Sequence, residues 1–263
     1  MKRSLIAMIG GLLFVPLMFG CGGEDGAPGA VGPVGPGGLP GTPQPIQVLI
    51  AGSDDPATLE DLARRCVSSG IFPMGTVVDY VSVADSVPPV AALGTFDAVI
   101  MYSNQGLTYP DSLGDALADY VDAGGRAVIC IAALSSIGPW ELRGRMMTPG
   151  YCPFIAGGPA ANPSGQIDPN SIAVPVHPIF NGTDVFNLTY WWVATDPNPA
   201  MHPGSVLLAT DMNGNNRVAL NASGTVAGMA LFFPGQFTNV PPYTGAMQLI
   251  ANACLFVAGA IGN

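Results

Sequence analysis

The chain carries one lysine, Lys2, and two histidines, His177 and His202, and only 10% of its 263 residues are charged. The shortage of basic groups excludes whole classes of partner. Eight Lys and Arg stand against 18 Asp and Glu, a formal charge of −10, whereas phosphate backbones and anionic lipid surfaces are held by clustered cations that release counterions. Nucleic acid is therefore not an expected partner. Two isolated histidines and scattered aspartates offer no H-x-x-x-H or C-x-x-C spacing, so neither a metal nor a cofactor is expected. A G-x-S-x-G nucleophile elbow is also missing. Hydrophobic residues make up 49% of the chain, ample for a core, and much of the surface has to be built from Gly, Pro, Ser, Thr and Asn.

The first twenty residues have the form of a targeting segment. "MKR" is a positive start, "SLIAMIGGLLFVPLMFG" is an apolar run, and Gly20 precedes Cys21. An A-x-A-like cleavage site is absent, and "MFGC" instead resembles the lipobox of bacterial lipoproteins. That resemblance implies removal of residues 1–20, lipidation of Cys21 on its sulfur, and attachment to a membrane of the bacterial cell envelope, facing the periplasm or the exterior. The alternative is an uncleaved anchor, for which the run is near the lower length limit; both place the remaining chain outside the cytoplasm. Cleavage also removes Lys2 and Arg3, leaving 6 basic against 18 acidic residues.

Residues 21–45 then read as a spacer. Glycine recurs at every third position from Gly26 to Gly41, giving six G-X-Y triplets, the period that lets three polyproline II chains meet at a crowded axis. This resembles a bacterial collagen-like repeat, which implies a trimer. As a single chain the same residues form a semi-rigid rod of about 3.1 Å per residue, roughly 55 Å in all. Either form lifts residues 46–263 away from the membrane.

From Ile46 strand and helix patterns alternate. "IQVLIAG" is a continuous apolar run, as in a strand buried on both faces. "DDPATLEDLARRCVSSG" predicts an amphipathic helix with Leu59, Leu62, Ala63 and Cys66 inward and Gly70 beyond its end. "GTVVDYVSV" and "FDAVIMYSN" predict strands, "PDSLGDALADYVDAGG" a helix, and "RAVICIA" a fourth strand. Short connections between them predict a mostly parallel sheet with helices on both faces. The Gly- and Pro-rich stretch from Leu134 to Gln166 follows the fourth strand at its carboxyl end, where open α/β sheets place their crevices. "NLTYWWVAT", "SVLLAT", "RVALNAS" and "GTVAGMALFFPG" predict further strands, the last two as a hairpin, and "AMQLIANACLFVAGAI" a closing helix docked on the sheet.

The blocks "FDAVIMYSNQGLTYPDSLGDALADYVDAGGRAVICIAALSS", "GRMMTPGYCPF", "VPVHPIF" and "ALFFPG" resemble the class I glutamine amidotransferase-like superfamily with its ThuA-like branches. The resemblance covers residues 46–263 and implies a flavodoxin-like three-layer α/β sandwich, its mostly parallel sheet ending in a C-terminal antiparallel hairpin. Catalytic members place a cysteine on the turn after the fourth strand, with a histidine and a carboxylate. Here that turn is "AALSS", Cys130 lies earlier within the strand, and "VHPIF" lacks the acidic residue two places after the histidine. No catalytic residue is therefore assigned. A serine alternative, Ser135 or Ser136 with His177 or His202, competes with a plain capping role for the serines.

Candidate ligand-binding residues are Ser103 and Asn104 after the third strand, Ser135, then Trp140, Arg143, Arg145 and Tyr151 in the crevice loop, and His177. Arg pairs with carboxylates and aromatics stack on sugars or peptides, so a cell-surface glycan, peptide or protein is the expected ligand class. The competing reading has the aromatics filling core and the arginines pairing with nearby Asp. With Cys21 lipidated, four cysteines remain in an oxidising compartment, allowing three pairings. In a flavodoxin-like order Cys66 with Cys254 would join the first and last helices, and Cys130 with Cys152 would tie the loop to its strand; four free buried thiols are the alternative. The sequence thus reads as a lipid-anchored binding or scaffolding protein, with a hydrolase at the crevice as the rival.

Overall fold

In the computed structural model the described residues are 43–134, 138–156, 165–172, 177–183, 189–190, 198–232 and 244–261. Cys21, the Gly-X-Y triplets, Ser135, Ser136, Trp191 and Trp192 lie outside them. The elements in chain order are β1 (Gln47–Ser53), α1 (Pro56–Ser68), β2 (Val77–Ser82), α2 (Val90–Leu93), β3 (Ala98–Ser103), α3 (Pro110–Asp122), β4 (Ala127–Ile131), β5 (Gly165–Gln166), β6 (Thr189–Tyr190), β7 (Val206–Thr210), β8 (Asn216–Leu220), β9 (Val226–Phe232) and α4 (Thr244–Val257).

Seven strands form one sheet in the order β2-β1-β3-β4-β9-β8-β7. β2, β1, β3, β4 and β9 run parallel, and β8 and β7 close the edge antiparallel. The parallel strands are buried on both faces because a helical layer covers each. Val48 and Ile50 of β1 join the core under α1 and α4, whereas Leu49 and Ala51 join the one under α2 and α3. This is the flavodoxin-like three-layer fold, and the β8–β9 hairpin lies where the sequence places it. Two details differ. The one-turn helix α2 is too short to leave a periodic signal, and the described part of the "NLTYWWVAT" strand, β6, pairs with β5 in a separate ribbon.

Local chemistry explains why α1 starts where it does. The Asp55 carboxylate accepts hydrogen bonds from the Thr58 amide at 3.0 Å and hydroxyl at 2.6 Å, and Pro56 occupies the first turn, where a missing N–H costs nothing. These bonds hold the carboxyl of Asp55 below its usual range. The inward face is Leu59, Leu62, Ala63 and Cys66, as the spacing requires.

In α3 the buried residue Gly114 looks out of place, since glycine inside a helix costs about 1 kcal/mol relative to alanine. Its role is close approach: the loop that leaves the carboxyl edge passes directly over the helix, and a Cβ on Gly114 would overlap the Arg143 carbonyl oxygen. Gly144 completes the crossing with φ +68°, in the left-handed region. Replacing Gly114 by alanine therefore reverses the usual sign of a helix Gly→Ala change. Overpacking of about 1–3 kcal/mol is expected to exceed the propensity gain, and thermal unfolding followed by circular dichroism should show a lower midpoint for Gly114→Ala; an unchanged or raised midpoint would refute this crossing.

Candidate functional site at the carboxyl edge

The strand order reverses at β1, with β2 to one side and β3 to the other, and in open α/β sheets the crevice outside the carboxyl ends at such a reversal is where ligands bind. Here it is built from Ser53 and Asp54 after β1 and from Ser103, Asn104 and Gln105 after β3. Ser53 and Asp54 are fully buried. The Ser53 carbonyl accepts from the Asn104 amide at 3.2 Å and the Gln105 amide at 2.7 Å, and the Ser53 hydroxyl donates to the Gln105 carbonyl. The Asp54 carboxylate collects the Asp55 amide at 3.1 Å, the Asn104 side-chain amide at 2.9 Å, the Gln105 side-chain amide at 3.4 Å and the Tyr102 hydroxyl at 3.4 Å. These four donors are neutral, the arrangement by which a carboxylate is tolerated away from water. Burial, reinforced by the Asp54 charge, drives the Tyr102 phenol far above its ordinary pKa. Gly52 leaves room for this packing: a Cβ there would come within 2.5 Å of the Tyr102 ring and of Leu59.

One wall of the crevice is the chain that returns after β4. Ser103 donates its hydroxyl to the Trp140 carbonyl at 2.6 Å, and the Leu107 amide donates to the Pro139 carbonyl at 2.8 Å. The Trp140 ring packs on the core under α1 and α4. Ser103, Asn104 and Trp140 are thus brought together, while both Ser53 and Ser103 hydroxyls are committed to carbonyl oxygens. The described crevice offers amide donors and one buried carboxylate.

The other candidates lie elsewhere. Arg143 is half exposed at the rim and pairs with Glu141 at 3.0 Å. Arg145 and Tyr151 leave the crevice altogether and lie along α3. Arg145 bonds Asp119 at 2.8 Å and Asp122 at 2.9 Å, with its guanidinium 5.9 Å above the Tyr151 ring, and Tyr151 donates to Asp122 at 2.9 Å. That bond pushes the Tyr151 phenol pKa up. The expectation that these two residues face a ligand in the crevice is corrected: the acidic outer face of α3, in a chain poor in cations, holds them.

His177 is corrected likewise. Its ring packs on Phe256 in the last turn of α4, with centroids 4.4 Å apart, and its Nδ1 accepts the Ile179 amide at 3.3 Å. Because β9 runs parallel to β4, α4 returns toward the amino end of the sheet, opposite the crevice. Burial lowers the His177 pKa. His202 lies 3.1 Å through Nε2 from the Met147 carbonyl, which requires the proton on that nitrogen. Among the described residues neither histidine reaches a serine, threonine or cysteine.

The four described cysteines are free and buried, so the expected pairings are not formed. Cys130 faces the core under α1 and α4 and Cys152 the core under α3, with the sheet between them. Cys66 and Cys254 share the first of these cores, as the helix order suggested. Burial raises all four thiol pKa values, Cys66 and Cys152 to about 12.

Sequence patterns do not single out Asp54, Gln105 or one buried ion pair. Arg217 and Asp211 are both 0% exposed, 2.9 Å apart, where β7 ends and β8 begins; the Asn213 and Asn215 amides also donate to Asp211. The available signal is a lone arginine next to a turn, "DMNGNNR", at the start of an apolar strand.

No protein-family model and no curated protein matches the chain. Its fold does have relatives among solved structures. A protein of Thermoplasma acidophilum described as a GMP synthase subunit overlaps with a TM-score of 0.50 at 10% identity, covering 82% of this chain and 95% of that one. A ThuA-like protein of Parabacteroides merdae overlaps with a TM-score of 0.50 at 16% identity, covering 82% and 90%. At these identities the likeness shows a shared fold.

Two measurements check this geometry. At pH 8 a thiol reagent is expected to label none of the four buried cysteines in the native domain and all four in guanidinium, whereas fewer in guanidinium would reveal a disulfide. Arg217→Ala is expected to cost about 3–5 kcal/mol in urea unfolding, because it strands a buried carboxylate; a cost under about 1 kcal/mol would show that Asp211 is not dependent on it.

Proposed function

We propose that this chain is a lipid-anchored protein of the bacterial cell envelope whose α/β domain serves as a binding module, held off the membrane by the Gly-X-Y stalk. Attachment rests on "MFGC" with its charged and apolar leader. No described helix is long and apolar enough to cross a membrane, and α4, the most apolar, packs on the sheet. The binding role rests chiefly on the position of the two histidines: one supports the short turn Pro178–Phe180 against α4 and the other bonds a loop carbonyl, so neither serves as a general base for a described nucleophile. The crevice itself presents Asn104 and the exposed Gln105, side chains suited to hydrogen-bond a glycan or peptide. A hydrolase acting through the turn after β4 is the second reading, and its serines, Ser135 and Ser136, lie outside the described residues.

The full chain produced in a bacterial host should incorporate radiolabelled palmitate and fractionate with membranes, and Cys21→Ala should abolish both. On glycan and peptide arrays, a ligand of the intact chain should bind at least tenfold more weakly to Gln105→Ala with an unchanged melting temperature. Labelling of the chain by a fluorophosphonate, removed by Ser136→Ala, would replace the binding reading with the hydrolase.

A further inference from the structure

Asp97 and Arg126 precede β3 and β4 at the amino end of the sheet, but the part of that end around Pro43, where the described chain begins, is lined by four segments, 43–53, 66–78, 177–183 and 244–261, that contain no Asp, Glu, Lys or Arg. In a chain with 18 acidic residues that is a concentrated absence. These segments enclose a groove of about 680 Å³ whose walls include Pro43, Phe72, Met74, Gln248 and Leu255. Met74 is 98% exposed, and Val67 and Val77, within seven positions of it, are 52% and 49% exposed. Met74 lines the groove, so it adds open apolar surface to an uncharged wall, the composition of a contact face.

We infer that this stalk-proximal face is an interface between copies of the same chain, packed together at the head of a Gly-X-Y trimer. The inference rests on the proposed stalk and on its trimeric form. Glycine at every third residue is what three chains need to share one axis, and a trimeric stalk brings three copies of the face around Pro43 together. Self-association selects for the charge pattern seen. A heterologous partner of an acidic protein is most simply attracted by charge, but identical acidic surfaces repel each other, so copies can meet only where the charge is missing. The neutral form of His177, favoured by its burial against Phe256, keeps the segments around the groove uncharged near pH 7. The amides of Gln248 and Asn252 are already bonded to the Ile71, Ile179 and Asn181 carbonyls, leaving Met74, Val67 and Val77 as the contacts a second copy would cover.

The full-length protein in its host membrane tests this by cross-linking. The native cysteines of the domain are buried, so a cysteine introduced at an exposed position supplies the reactive thiol. Met74→Cys, treated with a short bismaleimide, should give dimers and trimers at least fivefold more abundant than Tyr109→Cys, which places the thiol at an exposed site at the carboxyl end. Sedimentation of the detergent-extracted protein reports the stalk separately. A trimer in which Met74→Cys cross-links no better than Tyr109→Cys overturns the interface and leaves the trimeric stalk standing. A monomer removes both. A trimer that Val67→Asp/Val77→Asp converts to a faster-dissociating species, with the Met74→Cys cross-link lost, supports the interface.

Discussion

Burial of β1, β3 and β4 on both faces of a parallel sheet is the constraint from which the remaining organisation follows. Such strands can carry no unpaired polar side chain along their length, and apart from Gln47 at the start of β1 every residue in them is buried. Polar chemistry is therefore expelled to the strand ends. At the carboxyl end it begins abruptly: Ser53 and Asp54 follow the last apolar residues of β1, and Ser103, Asn104 and Gln105 do the same for β3. Since β1 and β3 are in parallel register, with Ser53 opposite Ser103, two short polar tips from distant positions in the chain form one cluster. The buried carboxylate of Asp54 is tolerated only because that register delivers amide donors to it.

The same constraint decides what happens to the long loop after β4. A chain leaving a doubly covered sheet has to cross one of its helical layers, and here it crosses α3, where Gly114 and Gly144 let two backbones touch. Once it lies on α3, Arg145 meets Asp115, Asp119 and Asp122 within one helix face. In a protein with so few cations those carboxylates are the strongest electrostatic partners in reach, although exposed pairs of this kind add little stability. Their consequence is positional: they draw Arg145 and Tyr151 off the crevice and leave Trp140 and Arg143 as the loop's contribution to it.

Periodicity carried the elements and the parallel sheet, and the family resemblance implied their flavodoxin-like arrangement. The apolar runs of β1, β3 and β4, the i, i+3, i+4 spacing of α1 and α3, and the turn at Ser223-Gly224 that closes the β8–β9 hairpin are all properties of neighbours in sequence. What escaped depends on which distant segments meet. The Asp54–Asn104 contact needs the register of two strands, and the Arg217–Asp211 pair needs a turn to fold back before the charges can be hidden together. The Cys130–Cys152 pairing failed on parity: in a strand Cys130 shares its side with Val128, whereas the loop bearing Cys152 crosses to the other face, a choice made by Gly114. His177 failed for a related reason, since the path from β9 through α4 sends its neighbour Phe256 back to the amino end.

With the middle of the sheet closed to polar groups, its two ends are free to specialise. Charge is tolerated at the carboxyl end because crevice loops there supply donors and counter-ions. At the amino end α4 returns over the sheet and the described chain begins at Pro43, and the segments that line the groove there are apolar or amide-bearing. An uncharged groove with Met74 open to water is a poor free surface in an acidic protein, because nothing there repels a neighbour or holds water strongly. The proposed trimeric stalk would raise the local concentration of an identical surface far above that in solution. In the proposed arrangement the charge distribution and the point of attachment act together: ligand contact is left to the carboxyl edge, and contact between copies to the uncharged groove.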